Sequence, residues 1–199
     1  MSILSQLKTV AGDLSDLKVR WALIGALAVS IHTEPRTTRD IDVALALDEV
    51  SDIETILEGL EKRGYSQRQL LMNLAPAQRL GFRLMIPTEN ASSLPIDLLF
   101  SSSGIETEIV QSAVVIEVFP NLPLPVANLS HTLAMKIVSE NNSDRIRDRD
   151  DIRKLLCIAT SDQIEFCKEA LTLIEERGFN RGKNLQKAFE NAFESFRSP

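Results

Sequence analysis

Arg39-Asp40-Ile41-Asp42-Val43 places two carboxylates on one side of what reads as a buried strand. Strand side chains alternate faces with a period of two, so Asp40 and Asp42 share a face while Ile41 and Val43 point into a core. Like charges that close together repel, and a strand that keeps them implies a cation between them. Hard oxygen ligands at this spacing suit Mg²⁺ or Mn²⁺.

The flanks say how that strand is delivered. Residues 21–24, Trp-Ala-Leu-Ile, read as a short buried strand ending at Gly25, and residues 26–32 as a brief helix packed on it. Residues 33–39 are polar, contain Pro35, and form the loop into a strand over residues 40–47. Gly25-Ala26 thus opens a helix directly after a strand, the geometry in which helix-start N–H groups face an anion. Upstream, Ile3, Leu4, Leu7, Val10, Leu14 and Leu17 recur at helical spacing and predict an amphipathic first helix.

Downstream, Ser51 or Asp52 caps a helix that runs to Lys62 and stops at Gly64. Extended pieces follow over residues 67–72, 79–86 and 95–100, separated by connections at 73–76 and 87–93. A short helix over 104–112 and a strand over 114–119 complete this part, and Pro120, Pro123 and Pro125 mark the change to helices alone. Those helices are expected over 129–140, 148–159, from a capping box at Asp162-Gln163-Ile164-Glu165 to Arg177-Gly178, and over 184–196. The pattern predicts an α+β fold: a mixed sheet flanked by helices in residues 1–126, then a helical carboxy-terminal domain in 127–199.

With 199 residues, 44% apolar and 25% charged, the chain has ordinary globular proportions. No apolar run approaches the roughly 18–20 residues of a membrane span, and Ser5, Gln6 and Lys8 interrupt the amino terminus where a signal peptide is apolar. A cytoplasmic protein with no membrane partner is expected. Cys157 and Cys167 form no CxxC pair and read as buried structural residues. His32 and His131 offer no metal pair or nucleophile triad, and Trp21 and Tyr65 read as core or edge residues rather than stacking platforms for bases. A net charge of −6 excludes binding of nucleic acid through bulk electrostatics, although Arg36, Arg39, Arg145, Arg147, Arg149, Arg153 and Lys154 crowd near the polar motifs.

Asp97, inside the apolar run Leu94-Pro95-Ile96-Asp97-Leu98-Leu99-Phe100, supplies a third carboxylate whose burial costs several kcal/mol unless it is neutralised. Three carboxylates on two potentially neighbouring strands meet the first need of metal-dependent phosphoryl transfer, and Gly25-Ala26 meets the second, a backbone cradle for phosphate. Lys136 sits among Leu133, Met135 and Ile137 in a predicted helix, and residues 144–154 alternate acid and base in a way that suits a salt-bridged helix start.

The order of an apolar strand, Gly25 with a small residue, thirteen residues between Ala26 and Asp40, and then Asp-x-Asp resembles the first motif of the polymerase-β-like nucleotidyltransferase superfamily. Residues 21–28 with Arg36-Thr37-Thr38-Arg39-Asp40-Ile41-Asp42 are similar to its AbiEii/AbiGii-type toxin branch, as are residues 129–136, which end in Lys136, and residues 147–156 with Asp148 and Asp151. The resemblance implies Mg²⁺ or Mn²⁺ on Asp40, Asp42 and Asp97, with Asp97 activating an acceptor hydroxyl. It implies nucleotide binding by Gly25, Ala26, Arg39, Lys136, Asp148 and Asp151. It implies transfer of an NMP from an NTP to a hydroxyl, with tRNA or another RNA as a candidate acceptor, by the toxin of a toxin–antitoxin pair with a cognate antitoxin as partner. Alternatives left open are a catalytically silent binding or antitoxin protein and an enzyme that modifies a protein or small molecule. Ala26 departs from the Gly or Ser usual after the motif glycine; it keeps the N–H, lacks a hydroxyl and resists positive φ.

Overall fold

The computed structural model describes residues 2–49, 52–74, 77–86, 93–140 and 146–197. Its elements run α1 (Ile3–Asp16), β1 (Arg20–Leu23), α2 (Gly25–His32), β2 (Ile41–Ala46), α3 (Asp52–Glu61), β3 (Ser66–Leu74), β4 (Ala77–Met85), β5 (Ile96–Leu99), α4 (Glu106–Gln111), β6 (Val114–Phe119), β7 (Leu122–Val126), α5 (Leu129–Ser139), α6 (Ile146–Ile158), α7 (Ser161–Glu176) and α8 (Leu185–Arg197). The strands form one mixed sheet in the order β3-β4-β5-β2-β1-β7-β6, the α+β architecture expected from the sequence. Ser51 as a cap, the connection at 87–92, and Asp144 and Arg145 lie outside the described residues.

Register brings the polar positions together. β2 pairs in parallel with β5, setting Asp42 opposite Asp97, and β5 pairs antiparallel with β4, setting Asp97 opposite Arg83. Asp40, expected to begin the strand, instead lies in the bend just before Ile41.

Each face of the sheet is covered by its own apolar cluster. Leu23, Ile41, Val43, Leu45, Ile96 and Leu98 point toward α1 and α3, whose Leu7, Val10, Leu14, Ile53, Ile56 and Leu60 are buried. The alternate residues Ala22, Ile24 and Ala44 point toward α4 to α8. Period-two alternation therefore aims Asp42 and Asp97, which share parity with Ala44 and Leu99, at the helical side. Residues from both sides of position 126 contribute to that second cluster. On the first face, buried Gln6 ties α1 to the chain before β5: its Nε2 donates to Leu94 O, and its Oε1 accepts from Leu94 N, both at 2.9 Å.

Several local expectations need correction. Pro123 and Pro125, read as punctuation, lie inside β7. Ala127 N donates to Leu23 O, so the odd-numbered positions of β7 turn their nitrogens to the β1 side, where only Leu23 pairs and a missing N–H breaks no ladder bond. The capping box of α7 is Thr160 with Gln163, two residues upstream of the predicted one. Thr160 has the extended backbone a cap needs, and the reciprocal bonds measure 3.3 and 3.0 Å. Cys167 is buried, and its thiol is pushed above the usual range by loss of water; Cys157 is exposed, contrary to expectation. Trp21 and Tyr65 are buried as predicted.

Candidate active site

Gly25 shows how closely the site is built. It follows β1 at φ 65°, and a Cβ there would lie 1.9 Å from Asp42 Oδ2. Only glycine lets this carboxylate lie against the start of α2. Ile24 N donates to Asp42 O at 3.0 Å, which pins the same turn to β2. Ala26 is not among the residues with positive φ, so the dihedral it would resist falls on Gly25 instead. Ser30 Oγ donates to Ala26 O at 3.0 Å and accepts from Arg36 N at 3.3 Å, linking α2 to the basic loop.

Asp40, Asp42 and Asp97 each bring a carboxylate oxygen within 4.8 Å of the others. Asp97 is 6% exposed, which rejects an ordinary solvent-facing role. Thr38 Oγ1 lies 2.9 Å from Asp40 O and 3.2 Å from Asp40 Oδ1, fixing the bend before β2. The Asp42 carboxyl is pushed up to about 7, first by loss of water and then by the charges of Asp40 and Asp97. Three converging hard oxygen donors, one of them disfavoured as a lone carboxylate by burial and by its two neighbours, fit Mg²⁺ or Mn²⁺.

Arg83 partly fills that want. Its Nε donates to Asp97 Oδ1 at 2.7 Å and its Nη2 to Asp97 Oδ2 at 2.6 Å, with Asp40 Oδ2 at 3.9 Å. Sequence reasoning missed this residue. The available signal was a lone cation in the apolar strand segment Leu80-Gly81-Phe82-Arg83-Leu84-Met85.

Lys136 is not solvated but buried, with Nζ 2.9 Å from Asp148 Oδ1 and 2.9 Å from Asp151 Oδ2. Arg36 Nη2 reaches the same Asp151 oxygen at 2.7 Å, so the loop before β2, α5 and α6 meet in one ionic knot. The alternating stretch in α6 divides by facing: Asp148 and Asp151 turn in, while the more exposed Asp150 pairs with Arg153 and Lys154 at 2.9 Å each.

These groups surround a cavity of about 840 Å³. Of the sequence-predicted residues, Gly25, Ala26, Arg39, Asp40, Asp42, Asp97, Lys136 and Asp148 line it, and Asp151 stands behind Lys136. Ser102, Ser103, Arg147 and Arg181 also line it; Arg147 was noted only as one of a group of basic residues, and nothing in the sequence patterns picks out the others. His32 Nε2 lies 2.7 Å from Ala127 O and is structural. Among the described residues no helix is long and apolar enough to cross a membrane.

The fold has a known counterpart. The crystal structure of an antigenic nucleotidyltransferase-like protein from Paracoccidioides brasiliensis matches with a TM-score of 0.55 at 15% identity, over 94% of this chain and 91% of that one. A solution structure of the antibiotic-resistance factor ANT(2'')-Ia gives 0.48 at 14% identity, over 98% and 97% of the two chains. No curated protein matches significantly. The model of the nucleotidyl transferase AbiEii toxin family, type IV toxin–antitoxin system, matches residues 10–197. Since that match spans nearly the whole chain, the protein belongs to the AbiEii family of nucleotidyl transferase toxins.

Proposed function

We propose that this nucleotidyltransferase-family chain is a divalent-metal-dependent enzyme that moves an NMP from an NTP to an acceptor hydroxyl and releases pyrophosphate. The observation that carries the reading is the convergence of Asp40, Asp42 and Asp97 within 4.8 Å, with Asp42 lying against the Gly25 turn. Mg²⁺ or Mn²⁺ held by these carboxylates supplies charge neutralisation at the α-phosphate. The first-turn N–H groups of α2, including that of Ala26, face the phosphates. Asp97 takes the proton of the acceptor hydroxyl as its oxygen bonds to the α-phosphorus and the bond to the β-phosphate oxygen breaks. For that, one Asp97 oxygen must be released by Arg83, whose side chain is 35% exposed. Asp148 and Asp151 orient Lys136 toward the triphosphate.

Family membership supports a toxin acting in the cytoplasm beside an antitoxin. An RNA acceptor such as a tRNA end is consistent with exposed Arg39 and Arg147 on the cavity wall. The saturation of Asp97 by Arg83 favours a second reading, a silent nucleotidyltransferase-fold protein that binds without turnover.

Incubation with each α-³²P-labelled NTP, Mg²⁺ and total tRNA or protein separates the two. Label transferred by the parent and lost in Asp42→Asn supports the enzyme. Absence of transfer together with a nucleotide-dependent thermal shift supports the silent binder, and equal transfer by Asp42→Asn removes the site assignment.

A further inference from the structure

Beyond the carboxylates and the Lys136 knot, the cavity wall carries a cation presented by a loop built around it. Arg181 comes from the connection between α7 and α8 and has φ 54°, in the left-handed region that L side chains seldom adopt. Gly178 and Gly182 beside it take φ 77° and 73°, and a Cβ on either would meet nothing within 4 Å. Crowding does not dictate this turn; its fastenings do.

Those fastenings hold both ends. Arg177 donates to Gly104 O and pairs with Glu108 at 2.6 Å. Lys183 donates to Val138 O at 2.9 Å and to Glu140 O, holding the far side of the turn to the end of α5. Asn180 Nδ2 donates to Lys183 O at 2.7 Å across the turn, and the Phe179 ring fills the place where Gly104 lacks a Cβ. A strained residue persists where its surroundings over-determine it, and such residues gather at ligand sites.

The margin that Arg181 faces is also rigid. Its Nη2 reaches Ser102 O at 3.5 Å, while the N and Oγ of Ser102 and of Ser103 all lie 2.7–3.0 Å from Glu106 Oε1. Leu99 and Val138 also line the cavity and supply apolar wall. The cavity, about 840 Å³, is within the usual range of about 300–1,000 Å³ for small-molecule sites and has room for a nucleotide.

Resting on the nucleotidyl-transfer reading above, we propose that Arg181 is a nucleotide-contacting residue whose guanidinium donates to an electron-rich acceptor atom of the bound NTP. A phosphate oxygen and a base edge share that chemistry, and the experiment separates them. Equilibrium binding of all four NTPs with Mg²⁺ is measured for the parent, Arg181→Gly and Arg181→Lys in the full chain. Glycine suits the positive φ, so a melting midpoint no lower than the parent's excludes loss of fold.

The expected result is NTP binding weakened about 10- to 100-fold in Arg181→Gly, the range of a charged hydrogen bond. An equal loss for every base, with partial recovery in Arg181→Lys, identifies a phosphate contact. A loss that changes the ranking of the four NTPs, without recovery in Arg181→Lys, identifies a base-edge contact. NTP affinities within about twofold of the parent, or a change confined to the KM of the acceptor, overturn the assignment. A parent that binds no NTP at all removes the nucleotidyl-transfer reading and this role with it, a result distinct from a parent and variant that bind alike.

Discussion

Two charged clusters stand side by side on the cavity wall, and they are balanced in opposite ways. In the Lys136 knot, two cations meet two buried carboxylates at 2.7–2.9 Å and the charges match one to one, while Arg36 Nε and Asp151 Oδ1 find no hydrogen-bond partner among the described residues. In the triad, three carboxylates share one arginine, and Asp42 is left with a raised affinity for a proton. The difference separates a cluster that ties two helices to the basic loop, and in the proposed reaction aims Lys136 at the triphosphate, from one left with an excess of negative charge. Near-identical residue types thus differ in how their charge is balanced.

The sharpest way to break this comparison is to cut each cluster. Lys136→Met and Asp151→Asn are each expected to cost about 3–5 kcal/mol in urea unfolding, because a buried partner is left uncompensated. The Lys136→Met/Asp151→Asn double variant should recover part of that loss. If either single variant unfolds like the parent, the knot does not tie the helices to the loop.

Asp42→Asn should behave oppositely, with transfer reduced about 10³-fold while the metal-free protein melts higher at pH 8. The parent should show the same signature in its pH dependence. A carboxyl pushed up to about 7 holds its proton in the folded state while the unfolded chain releases its own near pH 4. Its contribution is therefore complete below about pH 4 and lost as the pH rises to about 7. Melting scans should show this decline without metal and its reversal by Mg²⁺ above pH 7; an equal Mg²⁺ response at pH 5 and pH 8 would contradict it.

Gly25→Ala adds a methyl at a position 1.9 Å from Asp42 Oδ2 and strains a positive φ, so a loss of about 2–3 kcal/mol is expected together with loss of transfer. Thermal unfolding with and without Mg²⁺ checks whether the damage lies in the triad. The smallest effect belongs to Arg83→Leu, about 1 kcal/mol for a partly exposed pair, with an enlarged Mg²⁺ stabilisation as the triad loses the cation paired with it. A reduced Mg²⁺ response would instead make Arg83 an organiser of the site.

Most elements were legible because apolar periodicity and glycine stops mark them directly, as in α1, α3 and β2. Asp42 and Asp97 were legible because charge inside an apolar strand needs a reason, and Asp40 by its spacing of two from Asp42. What escaped was whatever depends on cross-strand register or on tertiary fastening. Arg83 matters only because antiparallel pairing sets it opposite Asp97, and Arg181 only because the loop is tied at both ends. Pro123 and Pro125 looked like breakers because their sequence does not reveal which flank of the strand lacks a partner. Lys136 was ambiguous for a similar reason, since its burial depends on two carboxylates from another helix.

The apolar cluster shared by Ala22, Ile24 and Ala44 with α5 to α8 has a consequence for how the protein can be switched off. Melting the carboxy-terminal helices would expose the apolar underside of β1 and β2 and take Lys136 from the cavity wall. Opening of those helices would therefore carry the heat-capacity increase of apolar exposure along with loss of the site.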